Sequence, residues 1–282
     1  MKPEFIINQV TDHTVIGNHE SGRSNAGAIL LNDCIAAIDC TMWPRTAKMF
    51  RNALETQFKL PVKYLFVTHS HGDHILGLST FKDIAIFGWH GLQETIPHRI
   101  KTQWTPDQML DMKNAHPEIA DWIDEVEFII PPLLFYNQME IVQGEQKIEF
   151  HHSGGHTCDS AWVYFPAEKV LFAGDLIFSN WFPFAGDDSC DPDKWMETLQ
   201  TWLEMPIEKV IPGHGPVMGK EIIQKTLTLF TQLKQNTLEV LSKQETPEMI
   251  IIPDIFEITD DIQWIINRTI NHWFKFYANR TA

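Results

Sequence analysis

One short run limits this chain more than any other: Thr68-His69-Ser70-His71-Gly72-Asp73-His74, directly after the apolar, β-branched stretch at 62–67. Four metal-ligand side chains fall within six residues. The stretch before them reads as a buried strand, and α/β proteins commonly place their sites where such strands end. His69 and His71 are two apart, so an extended backbone points both to one side. Asp73 and His74 follow in the expected turn into a helix, where they can face a second ion just beyond the first. Neutral imidazole and carboxylate suit zinc, iron or manganese.

Around this run, residues 5–10, 14–17, 26–39, 84–87, 148–150, 162–165, 170–173 and 209–211 read as further strands. The tract 18–25 holds Gly, Ser and Asn and reads as a loop that overhangs the site. Residues 44–58, opened by Pro44, and 194–205 have helical spacing, and the polar, mixed stretch 90–125 reads as a helical insertion. Several strands follow one another with no helix between them. A mixed α/β sandwich is therefore expected rather than a doubly wound sheet.

After Pro216 the pattern turns helical, so the chain reads as a domain over 1–216 with a helical extension over 217–282. One helix is expected over 222–241 and another after Thr259-Asp260-Asp261, a run suited to capping. In the second, Ile262, Ile265, Ile266, Ile270, Trp273, Phe274 and Tyr277 fall at helical spacing. They form either a stripe docked on the core or a pocket wall or homodimer face.

Lys plus Arg number 22 against 37 Asp plus Glu, a net charge of −15. That argues against nucleic acid as a partner, since a phosphate-backbone binder carries a basic face. No apolar run is long enough for a membrane span, and the opening residues do not read as a secretory signal. Cys34, Cys40, Cys158 and Cys190 form no Cys-x-x-Cys pair and are expected as buried, reduced thiols of a cytoplasmic protein.

Three further positions share one feature: a lone ligand type just past a predicted strand, beside glycine. They are His156 in Gly154-Gly155-His156-Thr157, Asp175 in Gly174-Asp175, and His214 in Pro212-Gly213-His214-Gly215. Glycine lets the backbone turn sharply and brings a ligand close to a crowded centre. With Asp39 after a strand and the His69–His74 run, these make five motifs in order. In them the chain resembles the metallo-β-lactamase-fold hydrolase superfamily from about residue 39 to 216, with the helical tail outside the likeness.

The resemblance implies a four-layer αββα sandwich of two mixed sheets. It implies two divalent metal ions, zinc first, with iron or manganese as alternatives. One ion would take His69, His71 and His156, the other Asp73, His74 and His214, with Asp175 bridging and Asp39 orienting the motif without binding metal. Two cations that share a water lower its pKa toward neutrality for attack on an ester, thioester, lactone, β-lactam or phosphodiester. Asp73 would also hold or shuttle the proton.

Substrate is less constrained. The best-known zinc β-lactamases carry Cys at the bridging position, whereas this chain has Asp175. Glyoxalase II carries basic residues after the Gly-Asp, whereas Leu176-Ile177-Phe178-Ser179-Asn180-Trp181 has none. The same likeness admits a mononuclear iron persulfide dioxygenase, using His69 or His71 with His156 and Asp175, and a non-catalytic metal-binding module. The segment 178–193, with Trp181, Phe182, Phe184, Gly186 and Asp187, reads as either an aromatic wall for a small-molecule substrate or plain packing. His151 and His152 are expected to be structural or to support the ligands from behind, and His13, His19, His90, His98, His116 and His272 solvated.

Overall fold

The computed structural model describes residues 5–18 and 24–281. His19 and most of the 18–25 loop lie outside the described residues. The chain divides into two compact units. One runs to His152 and takes in Val163–Glu168, and the other comprises Ser153–Trp162 and the chain from Lys169 onward.

The first unit holds a seven-stranded sheet whose spatial order is the chain order. Its strands are β1 (Ile6–Gln9), β2 (Thr14–Asn18), β3 (Ala26–Leu30), β4 (Ile35–Ile38), β5 (Val62–Phe66), β6 (Ala85–Trp89) and β7 (Leu133–Phe135). Pairing is antiparallel from β1 to β4 and parallel from β4 to β7. Parallel pairing needs a crossover, and helix α1 (Pro44–Phe58) supplies the first. Pro44 sits at its start, where a missing N–H costs no helical bond, and Lys59 closes it in left-handed backbone at φ 58°. Ala47, Phe50 and Leu54 of α1 bury against Val15, Ala37 and Leu65 of the sheet. The one-turn α2 (Gly72–Ile75) follows β5. The expected helical insertion is present as α3 (Leu92–Thr102), α4 (Pro106–Ala115) and α5 (Ala120–Asp124).

The single strand expected over 26–39 is two strands. Exposed Asn32 and Asp33 turn the chain, and Leu31 N–H donates to Cys34 C=O at 2.9 Å. The hairpin of β8 (Gln138–Gln143) and β9 (Gln146–His152) extends the one strand foreseen there. A second, five-stranded mixed sheet has the order β12-β11-β10-β9-β8, where β10 is Ala161–Phe165, β11 Val170–Phe178 and β12 Lys209–His214.

In the second unit, β11 and β12 pair in parallel with α6 (Pro192–Glu204) between them in sequence. The Asp191 carboxylate caps α6, accepting from the N–H groups of Asp193 and Lys194 at 3.1 Å each. Then come α7 (Glu221–Ser242) and α8 (Gln263–Thr281). Trp195 of α6 meets Phe230 of α7 at 4.7 Å, and Phe230 meets Trp273 of α8 at 5.2 Å between ring centroids. Ile262, Ile265, Ile266, Ile270, Trp273 and Tyr277 are all buried and Phe274 half-buried, so the apolar stripe docks within its own unit. Thr259 is not the cap expected of it. It precedes a 3-10 turn, Asp260–Ile262, and makes no side-chain capping bond. Near its C-terminal end α8 is tied down by Tyr277 and Arg280, which both donate to Asp193. Burial acts to raise the Asp193 carboxyl, but hydrogen bonds from Lys234 and Tyr277 hold it below its ordinary value.

Among the described residues no helix is long and apolar enough to cross a membrane. Cys34, Cys40 and Cys190 are buried as expected, but Cys158 is exposed, because it lies in the turn after Gly155 rather than on a core-facing strand. Burial, with Asp33 beside it, pushes the Cys34 thiol up to about 11, and burial raises Cys40 and Cys190 as well. A thiol reagent at pH 8 should therefore label Cys158 alone in the native protein and all four cysteines after denaturation, read by mass spectrometry. Trp273→Ala should lower the unfolding free energy by about 3–5 kcal/mol in denaturant titration, because the indole is fully buried.

Candidate metal centre

His69, His71, Asp73 and His74 all lie in the first unit. His69 lies just past β5, where Val67 N–H still pairs with Phe87 C=O at 3.0 Å, and His71 is the residue before α2. The rings of His69 and His71 are 4.8 Å apart, and those of His69 and His74 4.3 Å. His69 and His74 are buried, whereas His71 and Asp73 are half-buried.

One buried carboxylate organises this run. Asp39 Oδ1 accepts from Thr68 N–H at 2.8 Å, and Asp39 Oδ2 accepts from Thr68 Oγ1 at 2.8 Å. Asp39 Oδ2 also lies 2.8 Å from His74 Nδ1. A carboxylate only accepts, so Nδ1 of His74 carries the hydrogen and Nε2 is left as the coordinating nitrogen. Asp39 and Thr41 hold left-handed backbone at φ 58° and 68°. For a β-branched residue such as Thr41 this is a strained conformation. It is held by Gly77 N–H on Thr41 C=O at 3.3 Å and by Thr46 Oγ1 at 2.6 Å.

His156, Asp175 and His214 lie in the second unit and are all buried. His156 follows Gly155, whose φ of 109° suits only glycine. The expectation that Asp175 lies past a strand end is corrected: it is inside β11, at an irregularity beside Gly174 where the register with β12 shifts. A Cβ on Gly213 would overlap Asp175 Oδ1, so the glycine of Pro212-Gly213-His214 makes room for this carboxylate. Likewise His214 is the last residue of β12 rather than beyond it.

His156 Nδ1 is 2.8 Å from the backbone carbonyl of Phe184. A carbonyl can only accept, so Nδ1 is the N–H and Nε2 presents its lone pair. That nitrogen lies 3.5 Å from Asp175 Oδ2, and His214 Nε2 lies 3.3 Å from the same oxygen. Ligand atoms around a tetrahedral ion with bonds of about 2.0–2.1 Å stand roughly 3.4 Å apart. The donor set and its spacing fit a divalent cation.

Two groups of side chains could hold a metal ion: His69, His71, His156 and Asp175, and separately Asp73, His74 and His214. Each residue offers one ligand atom, and within each group these atoms lie within 4.8 Å of one another. The seven positions singled out in the sequence are among the side chains that could hold a metal ion.

The aromatic segment after Asp175 splits in two. Phe182 is core packing, 1% exposed. Phe178 stacks on His214 at 4.9 Å, half-buried Trp181 stands edge-on to it at 5.7 Å, and half-buried Phe184 lies 6.0 Å from His156. Asp187 is buried and accepts from Ser189, which shapes the loop.

Sequence reasoning missed Arg99. It is buried on α3, and its Nε donates at 2.7 Å to Oγ of Ser70, the residue between His69 and His71. The signal was present: Leu92, Ile96 and Arg99 share one helical face, so a guanidinium falls on an apolar stripe. Two histidines expected in solvent are not. Half-buried His90 stacks on Trp89 at 4.5 Å, and half-buried His272 bonds Cys190 C=O at 2.8 Å. His152 stacks on Trp89 at 3.9 Å, and His151 pairs with Glu149, with its basicity lowered by burial. His13 pairs with Glu168, while His98 and His116 are exposed.

The sequence model of the Metallo-beta-lactamase superfamily matches residues 22–214. The chain belongs to this superfamily. It is 26% identical over 164 residues to acyl-coenzyme A thioesterase MBLAC2 of Gallus gallus, a match that covers 55% of this chain and 57% of that protein. Among solved structures it resembles a metallo-beta-lactamase from Pontibacter korlensis, with TM-score 0.62 and 19% identity over 81% of this chain and 99% of that one. It also resembles a sec-alkyl sulfatase, with TM-score 0.74 and 14% identity over 98% of this chain and 50% of that one. The fold is thus the αββα sandwich of two mixed sheets flanked by helices, with a C-terminal helical extension.

Asp39→Asn should weaken divalent-metal binding about ten- to hundredfold in a chelator competition while the far-ultraviolet circular dichroism stays unchanged, because the amide cannot accept from Thr68 and His74 as a carboxylate does.

Proposed function

We propose that this chain is a hydrolase that holds two divalent metal ions, zinc ahead of iron or manganese. The observation that carries this reading is the donor set: seven buried or half-buried His and Asp side chains in two groups, with His74 and His156 each held in the tautomer that leaves Nε2 to coordinate. When bound, the ions supply Lewis acidity and a water acidified toward neutrality. The chain's own residues do the rest. Asp175 Oδ2 faces both His156 and His214 and suits a shared ligand position. Asp73, half-buried, offers one carboxylate oxygen as a ligand and keeps the other to take the proton of the attacking water. Asp39 fixes His74 without reaching the reacting atoms.

The substrate we infer is a carboxylic ester, thioester or sulfate ester with an apolar group beside the scissile bond. Phe178, Trp181 and Phe184 flank His214 and His156, and the latter two keep exposed surface. The thioesterase and the sulfatase it resembles are named for such esters.

Elemental analysis of protein produced without added metal should find two zinc ions per chain, falling in Asp175→Ala. One iron per chain would move the assignment to an oxygen-dependent thiol or persulfide chemistry, and no metal after reconstitution would overturn it. On an ester series, Trp181→Ala should lower kcat/KM for long-chain substrates about tenfold while leaving acetyl esters nearly unchanged.

A further inference from the structure

Helix α8 lies beyond the residues matched by the superfamily, and the metal reading gives it no part. It nevertheless grips the segment that holds His156. Thr269, fully buried on α8, accepts from Ala185 N–H through Oγ1 at 3.1 Å. The Phe184 carbonyl accepts from His156 Nδ1 at 2.8 Å. That carbonyl and that N–H belong to one peptide group, which is planar and rigid. A single peptide plane therefore spans from α8 to the imidazole, with Thr269 at its N–H end and His156 at its C=O end. Rotation of that plane breaks both bonds together, and each bond polarises the other.

Neighbouring contacts hold the same turn. Gly186 lies so close to α8 that a Cβ would stand 2.8 Å from the Arg268 backbone and 2.9 Å from Thr269 N. The Phe184 ring packs on Trp264 at 5.7 Å and lies under the Arg268 guanidinium at 5.5 Å. A second route reaches the same imidazole. Trp195 stands edge-on to His156 at 5.4 Å and is backed by Phe230 and Trp273.

We propose that α8 is a positioning element for the metal ligand His156, acting through Thr269 and the peptide between Phe184 and Ala185. This rests on the metal reading of His156 given above. Thr269 is a positioning residue: it fixes which nitrogen of His156 carries the hydrogen and where Nε2 points, without touching substrate or metal.

The test compares Thr269→Val, which keeps the shape and removes the acceptor, with Thr269→Ser, which restores it. Arg280→Ala serves as a control that loosens the far end of α8 at its ion pairs with Asp191 and Asp193. Zinc is titrated against a chromophoric chelator. Thr269→Val should bind one of the two ions about tenfold more weakly, at the lower end of the effect of residues behind a ligand, while Thr269→Ser stays within about twofold of wild type. Equal weakening in Arg280→Ala, or wild-type affinity in Thr269→Val, would overturn the proposal. A metal-free readout separates the two levels of inference. In protein with 15N-labelled histidine, His156 should be the Nδ1–H tautomer in wild type and a mixture in Thr269→Val. Should wild type bind no zinc, the metal reading fails. The tautomer comparison then decides the role of Thr269 by itself, an unchanged spectrum sinking it.

Discussion

The turn that carries His74 depends on a buried carboxylate with three hydrogen bonds, two to Thr68 and one to His74. Asp39 stands at the end of β4 and ties the strand end of β5, through Thr68, to the turn that carries His74. A carboxylate taken from water must find donors, or its burial is costly. Here the donors are those whose placement orients the ligands, so the requirement that Asp39 be satisfied and the requirement that His74 point Nε2 outward are met by the same bonds. The left-handed backbone at Asp39 and Thr41 is the local cost, offset by Gly77 and Thr46.

A different anchor serves the same purpose at His156. His156 is fixed by a backbone carbonyl rather than a carboxylate, and that carbonyl belongs to a loop stitched to α8. A loop carbonyl is only as well placed as the loop, which gives the closely packed Gly186 and the Trp195–Phe230–Trp273 stack a bearing on the site beyond stability. The helices after the superfamily motifs thereby enter the chemistry as supports. Substrate choice is expected to lie in the same neighbourhood, since Phe184 contributes its carbonyl to His156 and its ring to the aromatic surface.

Much of this was legible in residue order. The His69–His74 run, the two glycine-flanked histidines and the Gly174-Asp175 pair pointed to all seven candidate ligands, because metal chemistry restricts residue types and close approach restricts their neighbours to glycine. Helical periodicity found α1, α6, α7 and α8 and the buried stripe of α8. Less was legible where long-range contacts decide. The bond of Arg99 to Ser70 is made only by the fold, and His90 and His272 looked solvated until Trp89 and the Cys190 carbonyl met them.

The sequence by itself determined which side chains can coordinate a metal and that the family architecture is a mixed α/β sandwich. Tertiary structure alone decided which nitrogen of His74 and of His156 is available, that Asp175 lies inside a strand at a register shift rather than after one, and that Thr269, 113 positions beyond His156 in the chain, bonds the peptide whose carbonyl anchors that imidazole. The physical reason is one of range. Residue type and local periodicity are written in neighbouring residues, whereas a tautomer, a register shift and a peptide orientation are set by hydrogen-bond partners that the fold brings from far along the chain.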